Sequence, residues 1–338
     1  MIRTHKLALI GFGNVGKEFL RLLLAKESRL RDDYSIDWKL TGLASRRVGW
    51  IASPSGLDPS ALLAGNFPAP PAWAAPTNVR EWLEAAEPDV LFEATSLDRF
   101  TGEPAIAHLK AALESGAHAI SANKGPIVHA YRQLRDLARA RGRRFLFEST
   151  VMDGTPIFSM FPHSLPAVEL RGFRGILNST TNVVLTEMEK GLSLDEAVKR
   201  AQAIGVAETD PSNDLDGWDA AVKVAALVIV LMDTPIRLDE IERVGIRTVS
   251  PDQVRAARAA GMRYKLICRA ERTPGGGVRA SVKPEELPLS DPLALLEGTT
   301  SALRFDTDVF GLSIIEHKPG VIATAYGLLA DFIRAVRP

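Results

Sequence analysis

The chain has 338 residues, of which 46% are hydrophobic and 24% are charged, with 41 basic and 41 acidic side chains. This composition is ordinary for a globular protein and too apolar for a disordered one. Because the formal net charge is zero, there is no electrostatic reason to expect a nucleic acid or an anionic membrane as a partner. The length predicts about two domains.

Cys268 is the single cysteine, so an intramolecular disulfide and a multi-cysteine zinc site are excluded. The first ten residues reach glycine too soon for a signal-peptide core. The longest apolar stretch, residues 224–232, is too short to span a membrane. The six histidines show no metal-ligand spacing. We therefore expect a cytoplasmic protein.

Strand and helix patterns alternate over the first 150 residues. Strand-like runs cover residues 6–10, 39–43, 90–94, 117–121 and 144–147, and helical spacing appears at 15–23, 104–114 and 127–140. Alternation of this kind predicts a parallel α/β sheet. Residues 49–76 are rich in Pro, Ala, Gly and Ser and show neither period, so a surface loop is expected there.

The pattern changes after residue 150. Strand-like runs at 172–177 and 183–188 precede two predicted helices, 193–204 and 217–232. Later strand-like runs cover 262–270, 277–282, 299–305 and 311–316. These patterns predict a second, α+β domain over residues 151–318, followed by a last helix, 323–336, that returns to the first domain.

A glycine-rich motif lies between the first strand and the first helix. It has the form G-x-G-x-x-G and consists of Gly11, Phe12, Gly13, Asn14, Val15 and Gly16. Its glycines permit a tight turn and a close backbone approach, and the helix N-terminus faces a pyrophosphate. The motif predicts a Rossmann-type doubly wound parallel sheet over residues 1–150 that binds a dinucleotide. A tight turn without a ligand is the alternative.

Three polar residues follow the second strand, where an NAD-selective site usually carries an acidic residue. They are Ser45, Arg46 and Arg47. Guanidinium groups suit the 2′-phosphate of NADP because they offer planar, bidentate contacts. We therefore expect NADP to be preferred over NAD, with a solvated basic turn as the alternative. We also assign Thr95 and Ser96, directly after the strand at 90–94, to cofactor binding.

Five further segments resemble the homoserine dehydrogenase family. They are SANK at 121–124, ESTVMDGTP at 148–156, GILNSTTNVVL at 175–185, AETDP at 207–211 and DLDGWDAAVK at 214–223. The resemblance implies reversible NAD(P)-dependent oxidation of L-homoserine to L-aspartate 4-semialdehyde, a step of threonine and methionine biosynthesis. It also implies a homodimer, formed through the second domain, which is then a substrate and dimerisation domain.

The resemblance assigns roles to five residues. It implies that Lys223 is the catalytic group, that Asp219 supports it, and that Glu208 and Asp214 bind substrate. Lys124 is placed near the nicotinamide and the substrate and counts as both a catalytic and a cofactor-binding residue. The spacing agrees, because Asp219 and Lys223 stand four apart on one face of a predicted helix. Taken alone, the same spacing is more typical of an ordinary exposed ion pair than of catalysis.

The family also binds a monovalent cation through backbone oxygens and a glutamate. The matching residues here are Glu148, Val151, Asp153 and Thr155. A loop without an ion is the alternative.

Two departures from the family pattern bear on function. Ser179 stands where the family commonly has glycine, and residues 317–321 (HKPGV) replace a glycine-rich segment before the last helix. Both could alter cofactor closure or substrate choice. Because the chain ends after that helix, we expect neither the regulatory domain that some relatives append nor end-product inhibition through it.

Two other functions remain open at this level. One is an oxidoreductase for another small amino or hydroxy acid, because a hydride-transfer scaffold does not identify its substrate. The other is a non-catalytic dinucleotide sensor. Lys124, Asp219 and Lys223 argue against a sensor, which needs no lysine on the substrate side.

Overall fold

The computed structural model describes residues 2–68 and 76–337. Its contacts divide the chain into two compact units. The first contains residues 1–158 and 320–338, and the second contains residues 159–319. The changes of sequence pattern lie at residues 150 and 318, close to these limits.

Strands and helices are numbered here in chain order. The strands are β1 (Arg3–Ile10), β2 (Ile36–Ser45), β3 (Gly49–Ala52), β4 (Val90–Glu93), β5 (His118–Ser121), β6 (Phe145–Leu146), β7 (Leu170–Ile176), β8 (Glu242–Arg243), β9 (Met262–Arg272), β10 (Val278–Pro288), β11 (Ser301–Thr307) and β12 (Gly311–Glu316). The helices are α1 (Asn14–Ala25), α2 (Glu27–Tyr34), α3 (Pro59–Leu63), α4 (Val79–Ala86), α5 (Ala105–Ser115), α6 (Gly125–Ala140), α7 (Ile157–Ser164), α8 (Ser179–Glu189), α9 (Leu194–Ala203), α10 (Ser212–Leu215), α11 (Trp218–Leu231), α12 (Pro251–Ala259) and α13 (Val321–Val336). In the described part of the chain, none of these helices is long and apolar enough to cross a membrane.

The sheet of the first unit has the strand order β3-β2-β1-β4-β5-β6 over the described residues. Its pairs are parallel, apart from the antiparallel edge strand β3 on β2. The chain moves outward from β1 in both directions, first to β2 and later to β4. A crevice therefore opens beyond the carboxyl ends of β1 and β4, where doubly wound folds bind ligands. The predicted parallel, doubly wound sheet is confirmed.

The two faces of this sheet pack separate cores, as the alternation of side chains along β1 requires. Leu7 and Leu9 point into a core that includes Phe19 of α1 and Phe332 of α13. Ala8 and Ile10 of β1 point into a second core built around Trp82 of α4. Helices therefore cover both faces, which explains why β1 and β4 are apolar almost throughout.

The last helix, α13, belongs to the first unit and contacts α1. A buried polar cluster anchors it to a short 3₁₀ turn, Glu148–Thr150. The Asp331 carboxylate accepts the Glu148 N–H at 2.7 Å, and Arg334 contacts the carboxylates of both Glu148 and Asp331. Burial, together with the nearby charge of Glu148, raises the pKa of Asp331 to about 7.

The sheet of the second unit has the order β12-β11-β7-β9-β10-β8 over the described residues. Its pairs are antiparallel except for β8, which runs parallel to β10. Helices α8, α11 and α12 pack against β9, and α11 also packs against β10. This arrangement confirms the predicted α+β class, and it brings the end of β7 and the start of α8 beside α11.

The strand-like interpretation of residues 183–188 is wrong. These residues lie within α8, whose N-cap is Asn178. The helix is buried on nearly every side, from Thr180 to Thr186 and again at Met188. It therefore shows no polar face, and a short apolar run that includes two adjacent valines does not distinguish a strand from a buried helix.

The predicted loop over residues 49–76 is wrong in part, because β3 and α3 both lie within it. β3 pairs with β2 over only four residues, too few to show a strand period. α3 begins at a Pro after the N-cap Asp58, whose side chain accepts from the N–H groups of Ser60 and Ala61. Residues 69–75 of the predicted loop lie outside the described residues.

Trp82 is expected to be a stability determinant of the first unit, because it is fully buried and its Nε1–H donates to the Ile51 carbonyl at 2.8 Å. Trp82→Phe removes that hydrogen bond and opens a small cavity, which should lower the free energy of unfolding by about 1–3 kcal/mol in urea titrations. Trp50→Phe is the control, since the Trp50 ring packs on Trp82 but is only half-buried. Equal losses for the two variants would contradict this account.

Candidate active site

Glycine occupies the three positions of the G-x-G-x-x-G motif for different structural reasons. Gly11 has a φ of +98°, and a Cβ there would lie 2.3 Å from the Ala94 carbonyl oxygen. A Cβ at Gly16 would lie 2.2 Å from the carbonyl oxygen of Gly11. Both glycines are therefore required by the packing of β1, α1 and the end of β4.

Gly13 is different, because no atom of the described residues lies within 4 Å of a Cβ placed on it. Packing thus does not explain this glycine, which is exposed and forms the N-cap of α1. No side chain of the described residues caps that helix. The open backbone and the positive end of the helix dipole fit the pyrophosphate of a dinucleotide.

A cavity of about 470 Å³ lies beside this motif and is lined by Phe12, Lys17, Ser45 and Arg47, among others. The Ser45 hydroxyl accepts from the Arg47 and Val48 N–H groups and closes the turn after β2. Arg46 is exposed and is not among the described residues that line the cavity. The sequence analysis missed Lys17, whose signal is its place directly after the glycine motif.

A hydrogen-bond network joins the ends of β4 and β5. Glu93 is fully buried, and its Oε1 accepts from the Thr95 N–H at 2.9 Å and from the Thr95 hydroxyl. The Ser121 hydroxyl lies 3.1 Å from Glu93 Oε2. Burial raises the pKa of Glu93 to about 7, although the hydrogen bonds from Thr95 and Ser121 oppose this shift.

Asn123 extends the network to Lys124. Its amide donates to the carbonyl oxygens of Thr95 and Ser96, both at 3.3 Å, and its Oδ1 accepts from the Gly125 N–H at 2.9 Å. Lys124 is half-buried and forms the N-cap of α6. The proposed cofactor residues Thr95, Ser96 and Lys124 are thus held together at the carboxyl edge of the first sheet.

The second unit carries the predicted lysine and aspartate on α11. Lys223 Nζ lies 3.1 Å from Asp219 Oδ2, with both side chains mostly buried. The ammonium also donates to the Leu177 carbonyl at 2.6 Å, immediately after β7. The predicted helix and its i, i+4 pair are therefore present, and the backbone of another element orients the lysine as well.

Asn178 joins this pair to Asp214. Its Nδ2 lies 2.7 Å from Asp214 Oδ1 and 3.0 Å from Asp219 Oδ2. The pKa of Asp214 is raised, chiefly by burial and then by the charge of Asp219. The sequence analysis did not assign Asn178, although an Asn before a run of Ser and Thr residues is a recognisable helix N-cap.

Glu208 is exposed on the segment between α9 and α10, where its backbone carbonyl accepts from the Gln202 amide at 3.0 Å. No described contact joins its carboxylate to Lys223, Asp219 or Asp214. Ser179, which departs from the family pattern, donates from its hydroxyl to the Thr299 carbonyl at 2.9 Å. A glycine could not make this contact, so the departure ties the first turn of α8 to the segment before β11.

In the proposed cation-binding segment, the side chains of Glu148 and Asp153 form hydrogen bonds with other groups of the protein. Glu148 Oε1 accepts from the Phe158 N–H at 2.6 Å, and Oε2 lies 3.1 Å from the Arg334 guanidinium. Asp153 accepts from the Gly320 N–H and the Thr324 hydroxyl at the start of α13. Among the described residues, no group of three His, Cys, Asp or Glu side chains could hold a metal. These contacts give the cation no positive support, and it stays a prediction from the resemblance.

Comparison with known proteins gives two family matches that together cover most of the chain. Residues 11–148 match the family model described as the homoserine dehydrogenase NAD-binding domain, and residues 156–333 match the homoserine dehydrogenase model. An NAD(+)-dependent homoserine dehydrogenase of Pseudomonas canavaninivorans is 34% identical, over 97% of this chain and 95% of the relative. A homoserine dehydrogenase of Sulfurisphaera tokodaii is 33% identical, over 97% of each protein.

The chain belongs to the homoserine dehydrogenase family. Membership makes it an NAD(P)-dependent oxidoreductase that interconverts L-homoserine and L-aspartate 4-semialdehyde.

Solved structures of this family share the fold. A homoserine dehydrogenase of Thiobacillus denitrificans superposes with a TM-score of 0.84 at 27% identity, covering 98% of this chain and 73% of that one. A hyperthermophilic archaeal homoserine dehydrogenase mutant in complex with NADPH gives a TM-score of 0.82 at 28% identity, covering 98% of each chain.

Glu93 should make the stability of this homoserine dehydrogenase depend on pH. Its pKa is about 7 in the fold against a usual value of 4.5. Its contribution to the free energy of unfolding is therefore complete below about pH 4.5 and is lost as the pH rises through 7. Glu93→Gln keeps the acceptor for Thr95 without the titration. From pH 5 to 8, urea unfolding should show the wild type losing up to about 3 kcal/mol relative to the variant. The exposed Glu84→Gln is the control, and parallel curves for wild type and Glu93→Gln would refute the expectation.

Proposed function

We propose that Lys223 handles the proton of the reacting oxygen during homoserine oxidation, with Asp219 orienting it. The observation that carries this proposal is the position of Nζ, held 2.6 Å from the Leu177 carbonyl oxygen and 3.1 Å from Asp219 Oδ2. A bound nicotinamide supplies the hydride chemistry. The chain itself must manage the hydroxyl proton, and a mostly buried, doubly anchored lysine suits that task.

The lysine has a different task in each direction. In homoserine oxidation, the neutral amine or a water that it orders accepts the hydroxyl proton as the carbinol carbon loses hydride. In aldehyde reduction, the ammonium polarises the carbonyl oxygen and returns the proton. Since a carboxylate at 3.1 Å stabilises the ammonium, Lys223 also acts as an electrostatic stabiliser of the developing alkoxide.

We assign Glu208 and Asp214 to the substrate and Lys124 to positive charge near the nicotinamide. Homoserine carries an ammonium group, which needs a carboxylate partner. The pKa of Asp214 is raised chiefly by burial and then by the charge of Asp219, and a substrate ammonium would relieve that repulsion. Lys124 directly follows Asn123, whose amide contacts the Thr95 and Ser96 carbonyls, and this placement supports a role at the cofactor.

The proposed proton role is tested by a spectrophotometric assay with homoserine. Lys223→Ala should lower kcat by at least about 10² because it removes a general acid–base group. Glu208→Gln should mainly raise the KM for homoserine. Both variants should keep the dinucleotide affinity of the wild type in calorimetry. A folded Lys223→Ala protein with near-normal kcat from pH 6 to 10 would remove Lys223 from the mechanism and direct attention to Lys124.

We further propose that NADP(H) is preferred to NAD(H). Support comes from the cavity beside the glycine motif, where Lys17 and Arg47 place two cations close to the Ser45 turn. A 2′-phosphate suits paired cations, whereas the ribose hydroxyls of NAD favour an acidic residue. Relatives differ on this point, since the Pseudomonas protein is named NAD(+)-dependent and the archaeal mutant is in complex with NADPH.

The cofactor preference is tested with separate alanine variants. Arg47→Ala should weaken NADP(H) binding by about tenfold or more and leave NAD(H) binding nearly unchanged, because it removes a charged hydrogen-bond donor from the phosphate. Arg46→Ala is the matched control and should have a smaller effect, since Arg46 does not line the cavity. Calorimetry that shows equal losses for both cofactors would contradict a phosphate-reading role.

We also propose that the protein works in the cytoplasm as a homodimer with a small-molecule substrate, and with neither nucleic acid nor membrane as partner. The dimer is implied by the sequence resemblance. The cytoplasm is supported by Cys268, which is buried and unpaired. Light scattering of the purified protein measures the oligomeric state.

A further inference from the structure

The Asn178 side chain makes three hydrogen bonds at one point of the second unit. Its Oδ1 accepts from the Thr181 N–H at 2.9 Å, which caps α8. Its amide nitrogen donates to Asp214 Oδ1 at 2.7 Å and to Asp219 Oδ2 at 3.0 Å. The residue is only 4% exposed. Because the capping bond determines which end of the amide is the acceptor, the two N–H groups must face the carboxylates.

The same oxygen of Asp219 serves both the amide and the lysine. Asp219 Oδ2 lies 3.0 Å from Asn178 Nδ2 and 3.1 Å from Lys223 Nζ. The ammonium is also held by the carbonyl of Leu177, the residue before Asn178. Two consecutive residues therefore hold the ion pair, because Leu177 contacts Lys223 and Asn178 contacts Asp219. β7, which leads into them, packs so closely on β11 that a Cβ at Gly175 would lie 2.1 Å from the Ala302 carbonyl oxygen.

Three described groups on different elements interact with Lys223. Asp219 is on its own helix, Asp214 is on α10, and Cys268 on β9 interacts with it electrostatically. Burial raises the pKa of the Cys268 thiol to about 12, so this group is neutral at physiological pH. Of these described groups, the two carboxylates and the lysine carry the charge. Asn178 is the neutral donor between the carboxylates, and it reduces their repulsion without adding charge.

We propose that Asn178 is a positioning residue for catalysis, whose amide holds the Asp219 carboxylate against Lys223 and separates it from Asp214. This inference rests on the proposed role of Lys223. Asn178 touches neither the reacting atoms nor the hydride. It acts by keeping the number of carboxylates beside Lys223 and their positions such that the lysine can release and recover a proton.

The test is Asn178→Asp, which keeps the size of the side chain and the capping acceptor for α8. The introduced carboxyl group places a third negative charge among Asp214, Asp219 and Lys223, so the lysine holds its proton to higher pH. We expect kcat/KM for homoserine oxidation at pH 7.5 to fall at least about tenfold. The rising limb of its pH profile should move upward by about one pH unit. The wild-type to variant ratio should therefore be about tenfold below the limb and should shrink as the pH rises through the shifted limb.

Asn178→Ser is the companion variant, because serine also caps helices but cannot bridge two carboxylates. It should lose less activity than Asn178→Asp, and its pH profile should stay within about half a unit of the wild type. A matched control is Asn78→Asp. Asn78 caps α4, and its amide donates to the Glu81 carboxylate at 2.7 Å, with no lysine in the contact. This control should change neither kcat/KM nor the pH profile by more than about twofold or 0.3 unit.

The outcomes separate the inference from the function on which it rests. An Asn178→Asp protein with an unshifted pH profile, or with the same loss as Asn178→Ser, would show that Asn178 is only a helix cap and would overturn the inference. If that happens while Lys223→Ala is inactive, the proposed role of Lys223 still stands. If Lys223→Ala retains kcat, the role of Lys223 fails first. Circular dichroism and NADPH calorimetry confirm that each variant is folded.

Discussion

A buried ammonium group needs hydrogen-bond acceptors and an opposite charge, because burial otherwise costs the fold the free energy of its solvation. Lys223 meets this constraint with the Leu177 carbonyl and the Asp219 carboxylate. Meeting it requires the end of β7, the first turn of α8 and the middle of α11 to converge. The geometry of the second unit is therefore tied to the lysine, and a shift in the register of β7 would move the carbonyl that anchors it.

A related constraint applies to Glu93 in the first unit, a buried carboxylate without an arginine or lysine among its described hydrogen-bond donors. Its described donors are Thr95 and Ser121, and burial raises its pKa to about 7 against the effect of these hydrogen bonds. Such a group destabilises the fold at neutral pH, and here it orders the residues after β4. Functional sites commonly retain features of this kind because rigid positioning offsets their cost in stability.

Cofactor preference is a local property of this fold. The parallel sheet and the turn at Gly11, Gly13 and Gly16 suit the pyrophosphate that NAD and NADP share. In the proposed assignment, the 2′-phosphate that distinguishes NADP would contact the turn after β2 and the neighbouring Lys17, both of which line one cavity. Few side chains are therefore needed to change the preference, which explains how relatives with one fold are described with different cofactors.

Periodicity and motifs were sufficient where the signal is local. The strands around the glycine motif, the helix that carries Asp219 and Lys223, and the final helix were all predicted, because apolar spacing and short-range geometry determine them. The same reasoning failed at residues 183–188, where a helix buried on nearly every side has no polar face to reveal its period. It also failed at β3, which exists only because β2 offers an edge for pairing.

The sequence by itself determined which residues are proposed to carry the chemistry: the glycines, the lysine with its aspartate, and the basic turn after β2. Only the tertiary structure decided which of them have partners. Asn178 and Glu93 are ordinary polar residues in the sequence. They gain their importance from carboxylates and hydroxyls that lie 28 to 41 positions away along the chain. Such contacts depend on how strands and helices pack, and no local pattern encodes them.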